Sequence, residues 1–150
     1  MDAIDTALVR ALQTDARITN RELARLVGVA PSTALERVRG LRERGVITGE
    51  HARVSARALG RAVQALVFVR VRPATRDRID AFLAYALELP DTLDAYLVTG
   101  HEDVILHVAV ADTDALSSLV IDHVTARSEV VDARTSIVYE HRRRDVVEPV

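Results

Sequence analysis

The chain has 150 residues, 49% of them apolar and 28% charged, the make-up of a globular protein with one or two small domains. It has no cysteine, which excludes a disulfide framework and thiolate chemistry, and no apolar run reaches the roughly 18 residues needed to span a membrane. The net charge is −2, but residues 1–60 hold ten arginines against seven carboxylates and residues 61–150 hold ten against fifteen, so two modules are expected, the first tolerating a polyanion.

The N-terminus starts acidic and lacks the basic-then-apolar order of a signal peptide, which fits a cytoplasmic protein. Ile4, Leu8, Val9 and Leu12 then make a helical stripe, with Asp2 or Asp5 in the first turn, where a carboxylate suits the helix dipole. A second helix opens at "TNRE", where Thr19 and Glu22 have the spacing of a capping box; Leu23, Leu26 and Val27 are its expected buried face. Gly28 supplies a left-handed stop and Pro31 fits the first turn of a third helix. Two breakers three residues apart therefore end one helix and start the next, the geometry of a helix-turn-helix.

The third helix is expected from Pro31 to about Arg44, ended by Gly45. At about 100° per residue, Ala34, Leu35, Val38 and Leu41 share one face. Ser32, Thr33, Glu36, Gly40, Glu43 and Arg44 lie opposite, with Arg37 and Arg39 on the flanks. Short hydroxyls at the helix start allow close approach to a major groove, and arginine can fork onto guanine or phosphate. Gly40, costly inside a helix, would then allow close backbone approach. The competing reading is a three-helix bundle with a solvated, arginine-rich face.

Residues 46–61 read as a short strand and a turn between domains. They contain no Ser/Gly or Pro run that would make a flexible linker. Ala62 to Val71 is dense in β-branched residues and reads as a strand. "TRDRIDAFLAYALEL" is a helix with Ile79, Phe82, Leu83 and Ala86 at helical spacing and Thr75 able to cap it. "LDAYLVTGHEDVILHVAVAD" is two strands around a Gly100 turn. In the second of these Val104, Leu106, Val108 and Val110 point one way, and Ile105, His107, Ala109 and Ala111 the other. "DTDALSSLVIDHV" is a helix with an acidic start, and "VVDARTSIVYEH" a last strand. The order β-α-β-β-α-β is the split βαβ, ferredoxin-like sandwich. Two helices cover one sheet face. The other, bearing Ile105 and its neighbours, is too apolar to leave wet, so a homodimer is expected. The tail containing Arg142 to Arg144 is expected to be a solvated terminus, with contact to DNA phosphates as the alternative.

"RITNRELARLVGVAPSTALERVRGLRERGVITGE", followed by "LG" and a strand, resembles the N-terminal domain of the Lrp/AsnC (feast/famine) family of transcriptional regulators. E-L-A, V-G-V, E-R-V, R-G-L and G-V-I fall in register without gaps, and "VTGHEDVILHVAV" extends the resemblance over nearly the whole chain. It departs at Ala30, where the family usually has a capping serine. The resemblance implies an α+β protein: a winged helix-turn-helix domain at 1–50, a tether at 51–61, a ferredoxin-like (RAM-type) effector-binding and oligomerisation domain at 62–141, and a tail at 142–150. It implies a sequence-specific regulator of double-stranded DNA, assembled as a dimer and, in many members, stacked into tetramers or octamers. Candidate DNA-binding residues are Arg21, Ser32, Thr33, Glu36, Arg37, Arg39 and Arg44.

In such proteins small effectors, often amino acids, bind between subunits near the turn corresponding to Thr99–Asp103. A zwitterion needs an acceptor for its ammonium and donors for its carboxylate. Asp103 could be the first and backbone N–H groups at Gly100 and His101 the second, with Tyr96 and Thr99 alongside. The alternative is that Gly100 and Asp103 simply make a tight turn. An enzyme is not expected. His51, His101, His107, His123 and His141 show no metal-ligand spacing, and neither a nucleophile elbow nor a glycine-rich phosphate loop is present; no metal or cofactor is expected. Two other readings are an architectural DNA-binding protein without effector and a protein like the sirohaem decarboxylases, in which His101 or His107 would be the residues to suspect.

Overall fold

The computed structural model describes residues 1–150, which form two compact units: residues 1–53 with 142–150, and residues 54–141.

The first unit is built on α1 (Ala3–Thr14), α2 (Asn20–Val27) and α3 (Pro31–Glu43). Each boundary has a local cause. Asp2 caps α1 by accepting the Asp5 N–H at 2.8 Å. At the start of α2 the Thr19 hydroxyl accepts from the Glu22 N–H at 3.3 Å, and the Glu22 carboxylate accepts from the Thr19 N–H at 2.9 Å, a complete capping box. Gly28 stops α2 with φ of 71°, a left-handed conformation that glycine adopts without penalty. Pro31 opens α3, and Ala30 before it offers no side-chain cap. Leu8, Ala11, Leu23, Val38 and Leu41 form the core, with Ile4, Val9, Leu12, Ile18, Val27 and Ile47 packed around it.

Two expected core residues lie outside it. Leu26 is 59% exposed and Leu35 57%. On α2 the buried stripe runs through Leu23, Ala24 and Val27, and on α3 through Ala34, Val38 and Leu41. Each leucine sits roughly 100° around the helix from its stripe's centre. The short strand expected within residues 46–61 also does not form. A strand needs a ladder partner, and all sheet pairing is among four strands further along. Instead the Val46 and Ile47 N–H groups both bond to the Leu41 carbonyl, and a 3-10 turn occupies Arg57–Leu59 in the second unit. The tail differs from a free terminus. The Gln13 side-chain amide donates to the Val147 carbonyl at 3.0 Å and accepts from its N–H at 2.8 Å, while Arg10 pairs with Glu148 and Arg53 with Asp145.

The second unit runs β1 (Val63–Val71), α4 (Arg76–Glu88), β2 (Thr92–Leu97), β3 (Val104–Val110), α5 (Thr113–Ser118) with a π-helical continuation (Leu119–Thr125), and β4 (Val130–Ile137). The strands are ordered β2-β3-β1-β4 and every pair is antiparallel. With one helix in each of the two crossovers, this is the expected ferredoxin-like sandwich. Ala65, Val67, Val69 and Val71 of β1 and Val104, Leu106, Val108 and Val110 of β3 are buried against Phe82 and Ala86 of α4 and Leu116, Leu119 and Val124 beyond β3; the alternation in β3 breaks only at Ala109, which is buried although it points to the other face. Asp112 caps α5 through the Ala115 N–H. Thr75 stands at the cap position of α4 but its side chain makes no capping bond, contrary to expectation; its N–H turns back to the Pro73 carbonyl instead.

The opposite face of the sheet is not covered. Phe68 lies opposite Ile105, which is in turn opposite Tyr96, and Leu66 lies opposite His107. Tyr96 is 49% exposed.

Candidate nucleic-acid interface and effector site

The face of α3 away from the core carries Ser32, Glu36, Arg39 and Glu43, all exposed. Thr33 is half-buried beside Ser32, and Arg21 is exposed on α2. The side chain of Asn20, at the start of α2, donates to the Pro31 carbonyl at 2.7 Å, tying the two helix starts together across the turn. Arg39 is held only by Glu43, one turn along at 2.8 Å. Such an exposed pair contributes at most about 1 kcal/mol, so Arg39 is available to a stronger anion.

Arg37 and Arg44 are placed differently from the sequence expectation. Both point along α3 toward the start of α1. The Arg37 guanidinium donates from Nη1 to Asp2 Oδ2 at 2.5 Å and to Asp5 Oδ1 at 2.9 Å. Arg44 Nη2 donates to Asp5 Oδ2 at 3.2 Å. Asp5 is buried. The hydrogen bond to Asp2, then that to Asp5, raises the Arg37 pKa above its ordinary value. The Asp5 N–H first and Arg37 second hold the Asp2 carboxyl below the usual carboxylate range. The sequence offered one signal for this network, an arginine pair seven residues apart on α3 and a carboxylate pair three apart on α1. Sequence reasoning had assigned the carboxylates to the helix dipole alone.

In the second unit, Thr99, Gly100 and His101 are exposed in the β2–β3 turn, where Gly100 takes φ of 129°, a conformation that L side chains rarely adopt. Asp103 closes this turn. Its N–H bonds to the Val69 carbonyl and its own carbonyl accepts from Val98. Its Oδ2 accepts from the Val71 N–H at 2.8 Å and from Arg72 Nη1 at 2.9 Å. That carboxylate oxygen is committed to β1, so Asp103 frames the turn through Oδ2. Three arginines missed by sequence reasoning fasten the same turn: Arg72 through Asp103, Arg70 through the His101 carbonyl at 3.2 Å, and Arg134 through Glu102. Tyr96 lies on the uncovered sheet face, beside Ile105.

His107 is engaged on both ring nitrogens, Nδ1 lying 3.2 Å from Asp94 Oδ2 and Nε2 lying 3.1 Å from Gln64 Oε1. Its ring also meets that of His141 edge-on at 5.8 Å. His101 is exposed beside Glu102 at 3.5 Å. No group of three His, Asp or Glu side chains is gathered as a metal site would require, and no helix is long and apolar enough to cross a membrane.

These features recur in known proteins. The AsnC-type helix-turn-helix domain matches residues 1–42 and the Lrp/AsnC ligand binding domain residues 64–147. The HTH-type transcriptional regulator AldR of Mycolicibacterium smegmatis is 41% identical over 143 residues, covering 95% of this chain and 84% of that protein. The leucine-responsive regulatory protein of Rhizobium meliloti is 36% identical, covering 91% of this chain and 88% of that one. Among solved structures, a transcriptional regulator of Neisseria meningitidis in complex with L-Met superposes with a TM-score of 0.87 at 29% identity, over 96% of this chain and 93% of that one. AsnC of Escherichia coli gives a TM-score of 0.87 at 28% identity over 99% of both chains. The capped helix-turn-helix, the antiparallel ferredoxin-like sheet and these matches, which span both units, identify the chain as a member of the Lrp/AsnC family of DNA-binding transcriptional regulators.

Proposed function

We propose that the protein is a cytoplasmic, non-enzymatic regulator that reads double-stranded DNA with the outward face of α3, assembles at least as a homodimer through the uncovered sheet face, and responds to a small amino-acid effector at the β2–β3 turn. The observation that carries the DNA reading is the exposure of Ser32, Glu36 and Arg39 together on the helix that follows the Gly28 turn. Thr33 and Arg21 border that face. Arg37 and Arg44, turned to carboxylates, support the helix rather than the contact.

Support for an effector is less direct. The Neisseria relative was solved with L-Met, and in this chain Thr99, Gly100 and His101 present polar groups and backbone at an exposed turn held in shape by Asp103. Tyr96 supplies an apolar wall close by. Peptide N–H groups of the turn suit an effector carboxylate, and a second subunit would supply the remaining groups.

The test is binding of a duplex selected by the protein from a random-sequence library. Arg39→Ala is expected to weaken that binding by about 1–3 kcal/mol if Arg39 reads a base edge. Affinity of the unmodified protein should also fall steeply as salt rises, as counterion release requires. An unaffected Arg39→Ala variant, or salt-insensitive binding, would remove α3 from the groove.

A further inference from the structure

We infer that Arg37, clamped by Asp2 and Asp5, is a positioning residue that sets the rotation of α3 and thereby which side chains face the DNA; this rests on the proposed groove contact of α3.

Four observations converge on it. First, α3 lacks a side-chain cap: Ala30 offers none, and the one side-chain bond at its N-terminal end is that from Asn20 to the Pro31 carbonyl, a single point that leaves the middle of the helix free to roll. Second, Arg37 bonds two carboxylates of α1 at 2.5 and 2.9 Å, and Asp2 is itself the cap of α1, accepting the Asp5 N–H on its other oxygen. One carboxylate thus fixes the end of α1 and the middle of α3 together. Third, buried Asp5 is shared: Oδ1 faces Arg37 and Oδ2 faces Arg44, seven residues further along α3. Residues seven apart lie on one stripe of a helix, so the two arginines hold a line along α3 rather than a point. Fourth, Gly40 lies between them on the same flank, and its missing side chain leaves the space that the Arg44 guanidinium occupies, with Nη1 only 3.2 Å from where a Cβ would stand.

This line is a flank of α3, between the core stripe of Ala34, Val38 and Leu41 and the outward face of Ser32, Glu36 and Arg39. The core stripe is narrow, three residues (Ala34, Val38 and Leu41), and apolar burial is non-directional. Arg37 Nη1, bonded to two different carboxylates at once, adds the direction that the core stripe lacks, because hydrogen bonds weaken steeply as they bend.

The clamp and a phosphate contact by Arg37 predict opposite results when its acidic partners are neutralised. Asp2→Asn keeps a capping side chain, since Asn caps as well as Asp, and Asp5→Asn keeps the shape of the buried group. Each makes the unit more positive. If the carboxylates only masked DNA-binding arginines, the variants would bind every duplex more tightly. If they position α3, discrimination falls: the ratio of affinities for the selected duplex and a random-sequence duplex should drop about tenfold, the scale of one lost base contact, while random-duplex affinity holds or rises. Arg37→Gln should lower the same ratio without changing the slope of log K against log salt, whereas loss of a phosphate contact would reduce that slope by about 0.9.

A merely structural role would lower the melting temperature and leave the ratio intact. An unchanged ratio in Asp2→Asn, tighter binding of the selected duplex, or a reduced slope in Arg37→Gln would each overturn the proposal. Asp2→Asn decides the matter if Asp5→Asn does not fold. Arg39→Ala, measured on the same duplexes, separately tests the groove contact, so that failure of the contact and failure of the clamp are read in different variants.

Discussion

Gly40 shows how one residue's role changes once its neighbours are placed. From sequence alone a glycine inside α3 suggests close approach by DNA. In the structure the space beside it is taken by the Arg44 side chain, with Nη1 3.2 Å from the position of an added Cβ. Two effects then compete in Gly40→Ala. Alanine removes a helix-propensity cost of about 1 kcal/mol. The added methyl displaces the flexible tip of Arg44, whose pair with Asp5 is 3.2 Å long with the arginine side chain more than half exposed, and such pairs contribute about 0.5 kcal/mol. Propensity wins, so Gly40→Ala is expected to raise the melting temperature slightly and to leave selected-duplex affinity unchanged, because the shorter and less exposed Arg37 bonds, the main part of the clamp, remain and the tip of Arg44 can shift while still reaching Asp5. Thermal denaturation beside a DNA titration checks both. A destabilised variant would mean that Arg44 matters more than its exposure indicates, and a loss of DNA affinity at unchanged stability would restore the close-approach reading.

At the scale of elements, α3 is held by packing, by its tie to Asn20 and by the arginine clamp, with its first turn left uncapped. Ala30 already has the extended backbone of a cap residue, φ −67° and ψ 148°, so Ala30→Ser should add the missing bond without rearrangement. The expected gain is about 1 kcal/mol, visible as a higher melting temperature; no gain would show that the turn from Gly28 prevents the hydroxyl from reaching the first-turn N–H groups. Caps and periods were the legible part of this chain. Thr19 with Glu22, Gly28, Pro31 and the alternation of β3 each act through neighbours a few residues away, and each formed as expected. What escaped the sequence depends on contacts distant along the chain. The exposure of Leu26 and Leu35 follows from where the other helices sit, Arg37 meets carboxylates more than 30 residues earlier, and Asp103 is captured by β1 across the sheet. The strand expected in residues 46–61 failed for the same reason, since a strand exists only with a partner.

At the scale of the molecule, the second unit has a finished side and an unfinished one. Helices bury one face of the central strands β1 and β3, while the other face presents Leu66, Phe68, Tyr96 and Ile105 together. A clustered apolar face on a small unit favours a self-complementary partner, and a two-fold axis through it brings the same patch from both copies together. Two helix-turn-helix units joined in this way could engage two half-sites, which multiplies affinity without new contacts. Ile105→Glu tests the arrangement. Ile105 lies opposite Phe68 on one side and Tyr96 on the other, at the centre of the patch and outside the buried core, so the unit itself should still fold. In a dimer the new carboxylate would be buried twice, at a cost of several kcal/mol per ion, and the nearby cation, Arg134 over the Phe68 ring, is already paired with Glu102. The unmodified protein is therefore expected to sediment at micromolar concentration as a dimer or larger assembly, and Ile105→Glu as a 16.5 kDa monomer with unchanged circular dichroism and weakened binding to the selected duplex. If the unmodified protein were monomeric, or if Ile105→Glu assembled normally, the uncovered face would not be the subunit interface and the second DNA-binding unit would have to come from elsewhere.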